Sequence, residues 1–268
     1  MQIYTSSALS NHQAMVQQKM LAPEHERIYH ILSNAQPDLF ANKANHFTNR
    51  MRPMIIPDGE IWEVGIREFS IVNTIQTVPR DLYFYSGDNK KKHTISKGFY
   101  TKDSLLTALN KDKNNTDSKY EFSATQVKED VFIISVQTWT HLVFDDMLSD
   151  ILGIGSIINK GQTKKAHLPL HLKAFSYNIF VYCDMVDESR VGGAREKILR
   201  IIPFKEKKYM DVCHYEFTHV DYIPISVNRV EDITIRLYSD YGEFLPLVDG
   251  RCYVKLHFRK KLSNSPSN

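Results

Sequence analysis

The sequence predicts an all-β protein, a β-sandwich interrupted by an α+β excursion and preceded by a partly helical N-terminal arm. Three observations carry that expectation. From about residue 43 the hydrophobic pattern takes a period of two; turn residues separate about eight to ten such runs; and helical spacing is confined to the first forty residues and to a stretch near 81–172. Half-buried strands of this kind close as two packed sheets, and a jelly roll is one such topology. The domain plan that follows is an arm or short helices over 1–42, a sandwich over 43–259 with an inserted α+β region at about 81–172, and a disordered polar tail over 260–268.

In the arm, Ala8 to Leu21 places Leu9, Met15, Val16 and Met20 in an apolar pattern. A second helix is expected from Pro23, a favoured first helical residue, with Ile28, Ile31 and Leu32 at helical spacing. Such helices either cover an open sheet edge or reach a neighbouring subunit.

After the turn Pro57-Asp58-Gly59, the run from Trp62 to Arg67 alternates, with Trp62, Val64 and Ile66 on one face and Glu63 and Arg67 on the other. Glu68 continues the apolar parity while Phe69 and Ile71 take the other, which predicts either a bulge or a strand passing to a different environment near Glu68, and a structural ion pair for that carboxylate. Leu82 to Tyr85 and His93 to Ser96 read as short strands. Thr101 caps a helical run containing Leu105, Leu106 and Leu109, and Asn114, Asn115 and Asp117 mark a loop. Tyr120 to Gln126 and Val131 to Gln137 form a strand pair, and Met147 to Leu152 is a short helix stopped by Gly153.

The last third returns to strands. Ile179 to Cys183 is apolar on both parities, as in a strand covered on both faces; Ile198 to Ile202, Tyr222 to Val227 and Ile233 to Tyr238 follow. A closing hairpin is expected after Asp249-Gly250, with Cys252, Val254, Leu256 and Phe258 pointing one way and Arg251, Tyr253, Lys255, His257 and Arg259 the other.

Composition narrows the function. Apolar residues make up 42% and charged residues 24% of the 268, with Gly and Pro scarce, which excludes disordered and collagen-like chains. The net charge of +3 falls short of a dedicated nucleic-acid binder. No apolar run is long enough for a membrane span, and the first nineteen residues lack a secretory signal pattern, so synthesis in the cytosol or nucleus is expected. Cys183, Cys213 and Cys252 are odd in number and far apart, which suits reduced thiols.

No catalytic, cofactor-binding or metal site is expected. Asp211, Cys213, His214 and His219 cluster locally, but on one strand His214 and His219 would face opposite ways, against tetrahedral zinc. Cys183 and Cys252 sit on apolar strand faces, as core residues do, so a thiol hydrolase is disfavoured. Neither Val191 to Arg195 nor Gly153 to Ser156 completes a phosphate-loop or dinucleotide fingerprint. Basic clusters at Lys90 to Lys92, Lys164-Lys165, Lys205 to Lys208 and Arg259 to Lys261 are either solvated turns or local contacts to a polyanion such as packaged DNA.

The run Asn45 to Asn49, then Pro57 to Gly59, then Trp62-Glu63-Val64-Gly65-Ile66-Arg67-Glu68 resembles the opening strands of the minor capsid, or penton, proteins of Polinton/Maverick elements and the related adintoviruses. The ending resembles the family too, through Ile233 to Leu237, Asp240-Tyr241-Gly242-Glu243, Gly250, and Val254 to Arg259 with its Leu-His-Phe-Arg close at His257, Phe258 and Arg259. Between them Gly98 to Tyr100, Leu105, Leu109-Asn110, Leu148 to Gly153, and Phe180 to Asp184, with Tyr182, follow the family order.

The resemblance covers about residues 43 to 260. It implies a single jelly roll forming homopentamers at the fivefold vertices of an icosahedral capsid, beside a double jelly-roll major capsid protein. It implies no enzyme, and it places the chain in the virion. The expected excursion then lies at the rim or outer face of a ring, since its helices and polar loops are not needed to close a sandwich, and a ring of heterologous contacts needs two different complementary surfaces. The alternative is a stand-alone jelly-roll binding module, either trimeric and ligand-like or carbohydrate-binding.

Overall fold

The structure, a computed structural model, describes residues 25–112, 119–129, 131–172, 177–204 and 209–261. The expected helix at Ala8 to Leu21, the loop at Asn114 to Asp117, the Lys205 to Lys208 cluster and most of the polar tail lie outside the described residues. In chain order the first elements are β1 (Glu26–Leu32), β2 (His46–Ile55), β3 (Trp62–Val72), β4 (Leu82–Ser86), β5 (Lys91–Ile95), α1 (Lys102–Leu109), β6 (Tyr120–Lys128), β7 (Val131–Thr138), β8 (Leu142–Phe144) and α2 (Asp146–Leu152). They are followed by β9 (Ile157–Ile158), β10 (Thr163–Lys165), β11 (Asn178–Cys183), β12 (Ser189–Val191), β13 (Ala194–Glu196), β14 (Ile198–Pro203), β15 (Val212–Glu216), β16 (Ile223–Pro224), β17 (Arg229–Tyr238) and β18 (Cys252–Lys260). The chain divides into two compact units, one made of the residues up to Asn73 with Ile179–Tyr238 and those from Asp249 on, the other of Thr74–Asn178 and Ser239–Val248.

The first unit is a jelly roll. One sheet runs β1-β18-β3-β15, with β16 also pairing β3, and the other runs β14-β11-β17-β2. Among the eight long strands of this unit, in chain order, the first pairs with the eighth, the second with the seventh, the third with the sixth and the fourth with the fifth. That nesting is what a long hairpin rolled into two sheets produces. The core takes one parity from each sheet: Val64, Ile66, Phe69, Val254, Leu256 and Phe258 from one, Phe47, Ile179, Val181, Ile233, Ile235 and Leu237 from the other, all at most 1% exposed.

Several expectations are corrected here. From Glu26 on, where a helix was expected, the chain is a strand: β1 pairs antiparallel with β18 from Glu26↔Arg259 to Leu32↔Tyr253, while Pro23 lies outside the described residues. Ile28 and Leu32 remain 47% and 40% exposed while Ile31 is fully buried, so the helical spacing of these three marks no buried face. The closing hairpin does not form, because β17 and β18 belong to different sheets. In β11 Phe180 and Tyr182 are only half-buried, so that strand is fully covered on one face. Of Tyr222 to Val227 only Ile223–Pro224 pairs as strand, with Val64 and Glu63.

The second unit holds α1 and α2, a four-stranded sheet, β5-β4-β8-β9, and a three-stranded one, β10-β7-β6. Thr101 caps α1, its side chain accepting the Ser104 N–H while the Ser104 hydroxyl accepts the Thr101 N–H, and Leu105 and Leu109 are buried. Asp145 caps α2, and Gly153 ends it in the left-handed region at φ 66°. A Cβ at Gly153 would also overlap the carbonyl of Leu168, so both conformation and space select glycine. Phe84 is the hub of the core, with ring centroids of His93, Tyr120, Phe122 and Phe144 between 4.6 and 5.8 Å away.

Candidate functional site

Pairing of β3 with β18 sets His257 opposite Gly65, Phe258 opposite Val64, Arg259 opposite Glu63 and Lys260 opposite Trp62. Seven residues of the two sequence motifs, Trp62 to Gly65 and His257 to Arg259, therefore meet at one margin of the first sheet. Further along the ladder Lys255 faces Glu68 and Leu256 faces Ile66, leaving Arg67 as the extra residue of a bulge. That one residue accounts for the parity change in the sequence, since Trp62, Val64 and Ile66 are buried before it and Phe69 and Ile71 after it. Glu68 accepts from Lys255 Nζ at 2.5 Å, which holds its carboxyl below the usual range.

The sequence places Glu63 on an open face, yet it is 6% exposed. Its Oε2 accepts from Arg259 Nε at 3.1 Å and Nη2 at 2.9 Å, and Lys261 Nζ lies 3.4 Å from Oε1. Two residues along β3, residues 217–222 loop out between β15 and β16. A Cβ on Gly65 would sit 2.5 Å from the Asp221 carbonyl oxygen and collide with the Val220 side chain, so this loop lies directly on the β3 backbone. Tyr222 fastens it. The Tyr222 hydroxyl and His257 Nδ1 are 2.7 Å apart, and the Arg259 guanidinium lies 3.5 Å from the Tyr222 ring centroid. His257 Nε2 is 3.4 Å from Glu26 on β1, and from the other sheet Arg200 reaches Asp221 at 3.1 Å.

Beside this loop a surface cleft of about 460 Å³ is lined by His25, Glu26, Glu63, Arg259, Lys260 and Lys261. Lys260 donates to Glu60 at 2.6 Å, and the Trp62 indole N–H donates to the same carboxylate at 3.0 Å, so Glu60 is held below the usual carboxylate range. The basic run Arg259 to Lys261 is thus matched by Glu60 and Glu63, which weakens it as a polyanion contact. Lys90, Lys91 and Lys92 are exposed, Lys92 Nζ lying 3.4 Å from the Tyr83 ring centroid, and Lys164 and Lys165 are exposed on β10.

The remaining motif residues lie elsewhere. Tyr182 packs edge-on against Tyr238 at 5.0 Å on the second sheet, and Gly250 lies in the turn before β18. In the second unit Gly153 and Tyr241 line a cleft of about 370 Å³ with Asp150, His167, Leu168, Tyr177 and Asp240, next to the turn at Gly242. The Tyr241 hydroxyl donates to Asp150, and Asp240 accepts from the Asn178 N–H at 2.8 Å and from its amide at 2.7 Å.

One arrangement escaped the sequence reading. Ser86 Oγ lies 2.7 Å from His93 Nε2, and His93 Nδ1 lies 3.2 Å from Asp112, the order of contacts found in a nucleophilic triad. Same-face parity across the β4–β5 turn could have pointed to the first contact; the second needs the tertiary fold. Ser86 is 1% and His93 5% exposed, so no substrate carbonyl reaches the hydroxyl, and the two form a buried polar pair whose outer partner, Asp112, is 47% exposed. Burial lowers the His93 pKa, with Asp112 opposing that shift.

Among the described residues no group of three or more His, Cys, Asp or Glu side chains is placed to hold a metal ion. His214 on β15 and His219 beyond it are both exposed, whereas Cys213 is buried. No helix among the described residues is long and apolar enough to cross a membrane.

No family model matches the chain, and no curated protein matches it. Among solved structures, the SeMet-labelled mavirus penton protein is similar over 88% of this chain and 100% of its own, at 11% identity and a TM-score of 0.48. A chain in the cryo-EM structure of the Sputnik virophage is similar over 88% of this chain and 98% of its own, at 13% identity and a TM-score of 0.49. The jelly-roll assignment rests on the strand order described above.

Proposed function

We propose that this chain is a structural capsid protein of the penton type, forming homopentamers at the fivefold vertices of an icosahedral capsid encoded by a virus-like DNA transposon of the Polinton/Maverick or adintovirus kind. It works without a catalytic step, its partners are further copies of itself and a double jelly-roll major capsid protein, and its place is the virion. The observation that carries this reading is the complete eight-strand jelly roll, in which the motif residues of β3 and β18 become direct cross-strand neighbours. A second unit entering the chain between the third and fourth jelly-roll strands adds surface that a sandwich alone does not need, and a ring requires two unlike faces on each subunit.

Native mass measurement with negative-stain imaging tests the proposal. Fivefold rings near five times the 31.1 kDa chain mass, about 155 kDa, are the expected result. A stable trimer near 93 kDa, three times that chain mass, would overturn it. The cleft of the second unit favours a second reading as a binding module, because Tyr177 is 57% and Tyr241 41% exposed beside the fixed carboxylates of Asp150 and Asp240. A monomer that binds a glycan array, with loss of signal in Tyr177→Ala, would select that reading.

A further inference from the structure

Among the described residues, four carboxamide side chains each hydrogen-bond both the N–H and the C=O of a single strand residue. Asn49 accepts from the Leu32 N–H and donates to the Leu32 carbonyl, both at 2.9 Å. Asn42 accepts from the Thr48 N–H at 2.8 Å and donates to the Thr48 carbonyl at 2.9 Å; Gln36 does the same at Arg50, at 2.6 and 2.9 Å. In the second unit Asn110 accepts from the Phe122 N–H at 2.9 Å and donates to its carbonyl at 2.8 Å.

Every strand capped in this way is the outermost of its sheet: β1 carries Leu32, β2 carries Thr48 and Arg50, and β6 carries Phe122. A primary carboxamide has the donor and acceptor of a peptide unit but no chain to continue a ladder. It therefore fills the place of one residue of a neighbouring strand and stops there. On β2 two successive caps act at Thr48 and Arg50, residues of the same parity, whose peptide groups point away from β17. Those are the groups that an incoming strand would have to use.

We propose that Gln36 and Asn42 close the β2 edge to strand addition by β2 of a second copy of this chain. β2 is ten residues long, enough to template an antiparallel pair with its own copy, and such a pairing is isologous and closes at a dimer. The caps remove that option. Self-association is left to side-chain surfaces, where it can be ordered, and kept away from the backbone edge, where it would compete with correct assembly. This inference does not depend on the capsid reading.

The test compares the full chain with Gln36→Ala/Asn42→Ala by analytical ultracentrifugation across a concentration series, alongside amide hydrogen exchange. The expected result is concentration-dependent growth beyond the wild-type species. It is accompanied by Thr48 and Arg50 amides exchanging at least about tenfold faster in dilute variant and regaining protection when concentrated. A variant that keeps the wild-type mass at every concentration, with those amides exchanging faster, overturns the proposal, as does a variant whose two amides stay protected. If the double variant does not fold, Gln36→Ala alone carries the same reading at Arg50, and a wild-type mass with a deprotected Arg50 amide overturns it equally.

Discussion

Glu63 and Arg259 face each other across the β3–β18 ladder, and the guanidinium contacts one carboxylate oxygen through both Nε and Nη2. The pair is asymmetric: the Glu63 side chain is 7% exposed and that of Arg259 is 43% exposed. Removing the buried member leaves an arginine that can turn to water, while removing the exposed member leaves a buried carboxylate with Lys261 as its remaining basic neighbour.

Arg259→Met is therefore expected to destabilise more than Glu63→Gln. Loss of one partner of a buried pair costs about 3–5 kcal/mol, and with Lys261 still 3.4 Å away the expected cost for Arg259→Met is about 2–3 kcal/mol, roughly twice that for Glu63→Gln. Urea unfolding of both variants and of the double variant measures the coupling; equal costs would show that the buried carboxylate does not need this guanidinium.

Stability is expected to fall between pH 7.5 and 5.5. His93 and His46 both have lowered pKa values in the folded chain, His93 chiefly through burial and His46 through burial together with Arg236 and Lys43. Unfolded, each binds a proton near the ordinary value of 6.5, so their contribution is full above that pH and is lost as pH falls through it toward the folded value. Glu60, Glu68 and Asp232 are shifted down and lose their contribution only at much lower pH, so this window isolates the histidines. Thermal unfolding of His93→Gln should show a shallower drop than wild type over this range; an unchanged slope would assign the effect elsewhere.

Ser86 should not behave as a nucleophile. A fluorophosphonate probe is expected to leave the native chain unlabelled, at least about a hundredfold below a functioning serine hydrolase, because a nucleophile with no open approach gains nothing from its base. Stoichiometric labelling lost in Ser86→Ala would contradict the buried-pair assignment.

What the sequence made legible was local or strictly periodic. The bulge beside Glu68 could be read because one extra residue reverses which side chains are apolar, and the Thr101 cap and Gly153 stop depend on chemistry within a single turn. β1 was missed because three apolar residues at helical spacing fit a helix, while the ladder to β18 that makes it a strand joins residues more than two hundred positions apart. The burial of Glu63 was missed for a related reason: alternation reports which residues are polar, and says nothing of the distant side chains, here Arg259 and Lys261, that enclose them. Strand order and the carboxamide caps are likewise products of long-range pairing. Asn42, Gln36 and Asn110 look like ordinary turn residues until their strands are placed.

All three thiols should be silent in the folded chain. Cys183, Cys213 and Cys252 are at most 2% exposed, and burial pushes the Cys183 thiol up to about 12 and raises that of Cys252 further. Iodoacetamide at pH 8 is expected to label them at least about a thousandfold more slowly in native protein than in urea, since the thiolate is the reacting form. Rapid labelling of Cys213, which lies on an outermost strand, would reveal local opening of β15.

Gly65 tests whether the loop over the motif margin is held by close contact with β3. Any side chain there meets the Asp221 carbonyl and the Val220 methyl groups, and no rotamer avoids a clash that begins at Cβ. Gly65→Ala must therefore lift residues 217–222, and lifting them separates Tyr222 from His257 and from the Arg259 guanidinium. The β3 ladder itself tolerates alanine, so the jelly roll should remain folded with a loss of about 1–3 kcal/mol, the usual cost of overpacking. Limited proteolysis should show new cleavage within 217–222. A variant with wild-type stability and no new cleavage would show that the loop can shift without loss, and that the Tyr222 contacts follow it.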